Sequence, residues 1–234
     1  MITSGIFFKD FKIKKKSKNL KKKLNFILKE NNSIIQSLRT EYKDNFKKKN
    51  ILKFKKLSNF RIIGMGGSSL GSKAIYNFLK KKIKKNFVFI DNLSADLKIK
   101  DKKKYLNLII SKSGNTIETI VNTNILIKKK DKNLFITEKK ESYLSLLAKK
   151  LKAEVVDHNN YIGGRYSVLS EVGMLPAELM GLNYKNFRQL NNLVKNKFFM
   201  KSLVSNVEAI IYFSKVKKLN SIVINYDEQS TNLF

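Results

Sequence analysis

The chain has 234 residues, of which 42% are hydrophobic, and its 49 lysines and arginines against 18 aspartates and glutamates give a formal net charge of +31. This length and apolar content exclude a disordered tail and allow one sizeable domain with an appendage, or two small domains. Because the chain contains no cysteine, a disulfide framework, a thiolate metal site and a cysteine nucleophile are also excluded.

The first part of the chain has the spacing of amphipathic helices. Between Leu20 and Phe46 the apolar residues recur at steps of three and four among lysines, which predicts two helices with a break near residues 31–33. A β-rich run at residues 60–64 follows, then a glycine loop and a helical pattern around residues 74–79. We therefore assign residues 1–56 to an N-terminal helical segment.

Short apolar strands alternate with helical patterns through the middle of the chain. Further strands are expected at 87–91, 106–111, 134–137 and 153–156. One helix is expected to follow the strand at 106–111 and to run through residue 129, and another is expected at 143–151. Such alternation implies a parallel sheet with helices on both faces. The fold class predicted for residues 57–182 is therefore α/β, with three layers.

The last part of the chain, residues 183–234, begins with helical patterns at 184–199 and 203–217 and ends on an apolar run at 221–226. That run predicts a new strand, and the sequence stops eight residues after it. Because a strand without its covering helix cannot bury its apolar side chains, we expect this segment to be a helical linker followed by the start of an unfinished second domain.

The first candidate site is the glycine loop between the first strand and its helix, Gly64-Met65-Gly66-Gly67-Ser68-Ser69-Leu70-Gly71. Glycines allow the backbone to approach a ligand, and Ser68 or Ser69 can cap a helix whose free N–H groups attract an anion. The same pattern also suits a loop that merely connects strand and helix. It is neither a dinucleotide-binding fingerprint nor a P-loop.

The second candidate site is Ser111-Lys112-Ser113-Gly114-Asn115-Thr116, again at the carboxyl end of a strand. One hydroxyl would suffice to cap the following helix, whereas three hydroxyls with a spare lysine can surround a phosphate. In open parallel sheets, ligands collect at the carboxyl ends of the strands, so we expect this loop and the glycine loop to face one crevice.

These segments resemble a known family. Ser111-x-Ser113-Gly114-x-Thr116-x-Glu118-Thr119 matches the signature of the sugar-isomerase (SIS) domain, and the glycine loop is similar to that of glucose-6-phosphate isomerases. A third segment, Gly163-Gly164-Arg165-Tyr166-Ser167, is similar to a signature that those isomerases have and most other SIS proteins lack. The three motifs stand in order, and the resemblance covers roughly residues 60–176.

The resemblance implies a flavodoxin-like SIS domain with a five-stranded parallel sheet, followed by a second SIS domain in the complete enzyme. It also implies which residues hold the sugar phosphate, namely Gly67, Ser68, Ser111, Lys112, Ser113, Thr116 and Gly164. Arg165 occupies the position of the catalytic arginine. A guanidinium stays charged and can stabilise an enediolate oxygen, although an arginine tied to a structural carboxylate is the alternative.

The chain departs from the family at the base. The resemblance places the catalytic glutamate, the ring-opening histidine and a late lysine beyond the first domain, and no matching segment occurs here. His158 precedes the third motif, and we interpret it as an unpaired loop residue. Glu171 and Glu178 are interpreted as helix-surface or packing carboxylates, so none of these three is expected to act as the base.

The leading hypothesis is interconversion of glucose 6-phosphate and fructose 6-phosphate through a cis-enediol, without metal or organic cofactor, in a protein that is a homodimer when full length. The alternative is a non-catalytic SIS module that binds a phosphosugar and regulates a partner. A third hypothesis, nucleic-acid binding, rests only on the charge, and the lysine runs are dispersed without aromatic interleaving. We expect no nucleic-acid partner. With neither a long apolar run nor a leader pattern, we also expect no membrane association and a cytoplasmic setting.

Overall fold

The computed structural model describes residues 18–94, 103–128, 131–220 and 222–233. These residues form two compact units. The smaller unit consists of the described parts of Met1–Glu41 and Lys185–Tyr226, and the larger one consists of those of Tyr42–Tyr184 and Asp227–Phe234.

The larger unit is built on a parallel sheet. Within the described residues the sheet has five strands in the order β2-β1-β3-β4-β5, which are β1 (Asn59–Ile63), β2 (Asn86–Ile90), β3 (Leu106–Ile110), β4 (Lys132–Thr137) and β5 (Glu154–Asp157). Every neighbouring pair is parallel, and Ile62, Leu108 and Leu134 are aligned across the three central strands. This is the flavodoxin-like order, and it confirms the predicted α/β fold.

The described helices, in chain order, are α1 (Lys18–Lys29), α2 (Ser33–Ser37), α3 (Lys48–Lys55), α4 (Leu70–Phe78), α5 (Ile117–Leu126), α6 (Tyr143–Lys150), α7 (Glu171–Leu179), α8 (Asn191–Val194) and α9 (Lys197–Lys215). Helices α3 to α7 belong to the larger unit and the other four to the smaller one. The helix expected to run through residue 129 ends at Leu126, and residues 129–130 lie outside the described part.

The core of the larger unit lies between the central strands and their helices. All five residues of β3 are buried, as are the last five of β4, which explains why both strands are largely apolar rather than alternating. One core cluster joins the sheet to α5 and α6 through Ile63, Ile109, Leu126, Phe135, Leu144 and Ala148. Helix α6 begins after Ser142, whose side chain forms a capping box with Ser145.

Two amides interrupt this apolar interior. Asn107 of β3 donates a hydrogen bond from its side chain to Asn133 Oδ1 of β4 at 2.9 Å, and Arg61 of β1 donates to Asn107 Oδ1 at 3.3 Å. The three residues are direct partners across the sheet. A buried amide without a hydrogen-bond partner is costly. The two asparagines avoid this cost because their side chains form a hydrogen bond with each other.

The helices near the two ends of the chain differ in detail from the prediction. The break near residues 31–33 is confirmed, because Asn32 caps α2 by accepting a hydrogen bond from Ile34 N at 2.8 Å, but residues 18–55 form three helices rather than two. The single helix expected at 184–199 is a 3-10 helix, a short α8 and the start of α9. Asn196 separates the last two by capping α9.

The prediction of a strand at 221–226 is wrong for residues 222–226, which are the part of this run that the structure describes. Residues 222–226 form no strand, and Ile222 and Tyr226 are 84% and 92% exposed. An isolated apolar run has no ladder of backbone hydrogen bonds to join, so β-propensity alone does not make it a strand. The division at residues 56 and 182 and the second domain beyond it stay predictions.

Candidate functional site

Three loops follow strands of the sheet at their carboxyl ends. We call them the first loop (residues 64–69, after β1), the second loop (111–116, after β3) and the third loop (158–165, after β5). Because β1 and β3 are neighbours in the sheet, the first and second loops begin side by side. A Cβ on Gly64 would lie 2.8 Å from the carbonyl oxygen of Ile110 and 3.0 Å from Ser68 Cβ, so Ser68 lies close to the end of β3.

The first and third loops touch through their backbones. A Cβ on Gly67 would lie 2.5 Å from Gly164 Cα and 2.6 Å from its carbonyl oxygen. The hydroxyl of the buried Ser167 lies 2.8 Å from the carbonyl oxygens of both glycines and can donate to either. Glycine is thus required at 67 because another backbone approaches it closely. Ser68 and Arg165 directly follow the two glycines, so both residues lie next to this contact.

The second loop gathers three hydroxyls at the start of α5. Thr116 Oγ1 lies 2.9 Å from Ser111 Oγ and 3.5 Å from Ser113 Oγ. Ser111 Oγ also accepts from Gly114 N at 3.2 Å, and Ser113 Oγ accepts from Asn115 N at 3.2 Å. The contact between Ser111 and Thr116 uses one hydroxyl hydrogen. Since backbone N–H groups fill acceptor positions on both serines, the remaining hydroxyl hydrogens can be donated to an anion.

The start of α6 holds the second loop in place. Gly114 has a φ of +68°, and a Cβ there would overlap the side chain of Ser142. Leu144 N donates to Gly114 O at 3.0 Å, and Tyr143 N donates to the Asn115 side chain at 2.9 Å. The glycine of this motif is therefore needed both for its left-handed backbone and for its packing against α6.

Lys112 is not the spare lysine that the sequence led us to expect. Its ammonium lies 3.6 Å from Glu138 Oε1 and donates to the carbonyl of Asn160 in the third loop. Burial alone would raise the pKa of Glu138, but the hydrogen bond and charge of Lys140, with the charge of Lys112, hold that pKa below its usual value. The lysine therefore links the second and third loops, and its role as a phosphate ligand stays a prediction.

Arg165 is exposed. Within the part of the chain that the structure describes, its guanidinium makes no hydrogen bond or ion pair. The alternative of a structural arginine tied to a carboxylate thus finds no support among these residues. The side chain is free to meet a ligand at the junction of the first and third loops.

His158 and Glu171 form a buried pair that the sequence reasoning missed. His158 Nδ1 lies 2.7 Å from Glu171 Oε1, and their side chains are 3% and 0% exposed. The interpretation of His158 as an unpaired loop residue was therefore wrong. The two residues are thirteen positions apart, and only the return of the chain from β5 into α7 brings them together. Glu178 is also buried and lies 2.5 Å from Lys55 Nζ, which agrees with its interpretation as a packing carboxylate.

Comparison with known families bears directly on these three loops. The family model described as phosphoglucose isomerase matches residues 13–229. The chain belongs to the phosphoglucose isomerase family.

Curated relatives of this family are similar over much of the chain. A glucose-6-phosphate isomerase of Methanocaldococcus jannaschii is 32% identical over 209 residues, which cover 80% of this chain and 51% of that protein. One of Acholeplasma laidlawii is 38% identical over 143 residues, covering 52% of this chain and 33% of that protein. The chain thus spans about half the length, or less, of these phosphoglucose isomerase relatives.

Solved structures show the same fold at lower identity. A hypothetical protein from Thermus thermophilus has a TM-score of 0.70 and 20% identity, covering 92% of this chain and 56% of that one. The tagatose-6-phosphate ketose/aldose isomerase of Escherichia coli has a TM-score of 0.50 and 18% identity, covering 69% and 48%. These likenesses concern the fold alone, because one fold can host many functions.

The described residues of this phosphoglucose isomerase family member contain neither a candidate membrane span nor a candidate metal cluster. Among them, no helix is long and apolar enough to cross a membrane. In the same residues, no three histidine or carboxylate side chains cluster in a way that could hold a metal ion.

Proposed function

We propose that this chain supplies the phosphate site and the catalytic arginine of an isomerase that interconverts glucose 6-phosphate and fructose 6-phosphate through a cis-enediolate. The observation that carries the proposal is the backbone contact of Gly67 with Gly164. It joins the first loop, which has Ser68, to the third loop, which has Arg165. One sugar phosphate could therefore meet both.

In this proposal the phosphate lies over the first and second loops. Ser68 and the hydroxyl cluster of Ser111, Ser113 and Thr116 donate to its oxygens, while the backbone N–H groups at the start of α5 add partial positive charge. A dianion held in this way leaves the other end of the sugar free to extend toward Arg165. Its guanidinium would then stabilise the oxygen that becomes negative during proton transfer.

The general base is proposed to lie in the part of the curated relatives' length that this chain does not cover. Proton transfer between adjacent carbons needs a carboxylate within hydrogen-bond reach of the substrate. Glu171 and Glu178 are almost completely buried and are engaged by His158 and Lys55. The ring-opening histidine, the homodimer and the cytoplasmic setting expected from the resemblance likewise stay predictions.

The phosphate site is tested by removing single hydroxyls. Thr116→Val keeps the shape of the side chain, and Ser111→Ala removes the neighbouring hydroxyl. Each change should weaken binding of inorganic phosphate and of fructose 6-phosphate by about tenfold, since a hydrogen bond to a charged group contributes about 1.5–3 kcal/mol. Ligand-detected NMR titration of the chain measures the two affinities.

Thr123→Val is the matched control for these two changes. Thr123 lies on α5, the helix that begins directly after Thr116, and its buried hydroxyl has no hydrogen-bond partner within the described residues. Phosphate affinity should therefore be unchanged. Unchanged affinity in both Thr116→Val and Ser111→Ala would show that the proposed phosphate site is wrong.

A non-catalytic phosphosugar-binding module is the second candidate. It is favoured by one observation, which is that both carboxylates of α7, the helix after the third motif, are committed to buried pairs. The two candidates differ in what an extended protein does, because a sensor binds hexose phosphates without converting them. A coupled assay of fructose 6-phosphate conversion by a version that carries the second half of the curated relatives separates them.

A further inference from the structure

A buried polar network surrounds the beginning of the third loop. Glu171 Oε1 lies 2.7 Å from His158 Nδ1 and accepts a hydrogen bond from Asn159 N at 3.2 Å. Its other oxygen accepts from the hydroxyl of Tyr42 at 3.3 Å, and this hydroxyl accepts in turn from Asn159 Nδ2 at 2.7 Å. Burial, and secondarily the Glu171 charge, raise the pKa of Tyr42, so it stays a donor.

Both ring nitrogens of His158 face acceptors. Nδ1 meets the Glu171 carboxylate, and Nε2 lies 3.2 Å from the carbonyl oxygen of Ile162. Each ring nitrogen thus has a protein acceptor within hydrogen-bond distance, so the ring is held from both sides. Truncation of either partner leaves a buried polar group without a partner, which costs more than the net value of one hydrogen bond.

The network closes a segment of chain around Arg165. His158 lies at the start of the third loop and Glu171 is the first residue of α7, so their contact ties together the two ends of residues 158–171. Inside this segment the backbone is also held at Ile162 by the same histidine ring and at Asn160 by Lys112. The motif that contains Arg165 follows directly.

We propose that His158 and Glu171 are positioning residues, which fix the third loop so that the free guanidinium of Arg165 points at the ligand. The inference rests on the proposed function, because it assigns the pair a purpose through Arg165. Neither side chain reaches the ligand itself, since both are buried against protein groups. The pair acts by limiting the backbone conformations from which Arg165 extends, and pre-organisation of this kind raises affinity without a new contact.

The test compares two anionic probes that differ in their need for Arg165. Inorganic phosphate reports on the first and second loops alone, whereas 6-phosphogluconate adds a carboxylate at the carbon where the enediolate oxygen would form. NMR titration of the full 234-residue chain should show the second probe binding more tightly. Arg165→Ala should remove at least about tenfold of that preference and leave phosphate affinity unchanged.

His158→Leu should remove the same preference while phosphate affinity stays within about twofold, and adding Arg165→Ala to it should then cost almost nothing more. Glu171→Gln has nearly the same volume as the native side chain and provides a second variant if His158→Leu does not fold. Glu178→Gln is the matched control, because it changes a buried, paired carboxylate on the same helix away from the third loop. It should keep the preference.

The outcomes distinguish failure of the proposed function from failure of the inference alone. If the unmodified chain shows no preference for 6-phosphogluconate, the proposed function fails, and the inference fails with it before any variant is made. If the preference exists and requires Arg165 but survives in His158→Leu and Glu171→Gln, the inference alone is overturned. Equal loss of affinity for both probes, together with a lower melting temperature, would show a merely structural pair and would overturn it too.

Discussion

Arg165→Ala, in an isomerase that carries the second half of the curated relatives, should lower kcat by about 10²–10³-fold with a much smaller change in KM. The physical reason is that the guanidinium meets a full negative charge only at the enediolate, so its removal costs transition-state stabilisation and little ground-state binding. A coupled assay of fructose 6-phosphate conversion measures both constants. Arg61→Ala removes the same charge from within β1 and should leave the chemical step unaffected.

The chain of 234 residues by itself should show no measurable turnover in the same assay. Loss of a positioned general base typically removes about 10²–10⁴-fold in rate, and both carboxylates of α7 are buried in pairs. Substantial turnover by this chain that disappears in Glu171→Gln or His158→Ala would place the base inside it. That result would contradict the proposed division of catalytic residues.

Gly67→Ala should destabilise the larger unit and disrupt ligand binding together. The new Cβ would lie 2.5 Å from the Cα of Gly164, and a backbone atom cannot move aside as a flexible side chain can. Forcing extra volume into a packed contact typically costs about 1–3 kcal/mol. Because the first and third loops must separate, affinity for 6-phosphogluconate should fall further than affinity for inorganic phosphate. Denaturant unfolding and NMR titration measure the two effects.

Gly163→Ala is the control for this prediction. The nearest atom to its new Cβ would be 4.0 Å away, on Tyr166, and Gly163 does not have a positive φ. It should change the free energy of unfolding by less than about 0.5 kcal/mol. If Gly67→Ala were equally harmless, the contact of the two loops would not be tight in solution, and the main support for a shared site would be lost.

Much of the fold could be predicted from the sequence because local pattern and tertiary environment agree there. The central strands β3 and β4 are largely apolar runs that the sheet buries, and the loops after β1 and β3 contain the glycines and hydroxyls that their turns require. The apolar run at 221–226 satisfies the same local criterion, but strand formation depends on a neighbouring strand, which a sequence pattern does not contain. Asn196 was missed for a simpler reason, since its capping role was hidden within a helical pattern.

The site could be predicted only as far as its motifs. Gly67 and Gly164 were singled out separately, and nothing in their wide separation along the chain indicates that their backbones touch. The partnership of His158 with Glu171 and the tie of Lys112 to Asn160 were missed for the same reason. A charged residue at the end of a strand can serve a ligand or a neighbouring loop, and the choice depends on which carboxylates and carbonyls the fold brings near.

The paired amides of Asn107 and Asn133 bear on how the sheet assembles. β3 and β4 are similar apolar runs, Leu-Asn-Leu-Ile-Ile and Lys-Asn-Leu-Phe-Ile-Thr, so hydrophobicity alone would permit them to pair one or two positions out of step. Any such slip would separate the two amides and leave each buried beside aliphatic side chains, at the cost of an unsatisfied polar group. The asparagines therefore penalise misaligned sheets during folding, and they set the height at which the loops after β3 and β4 emerge.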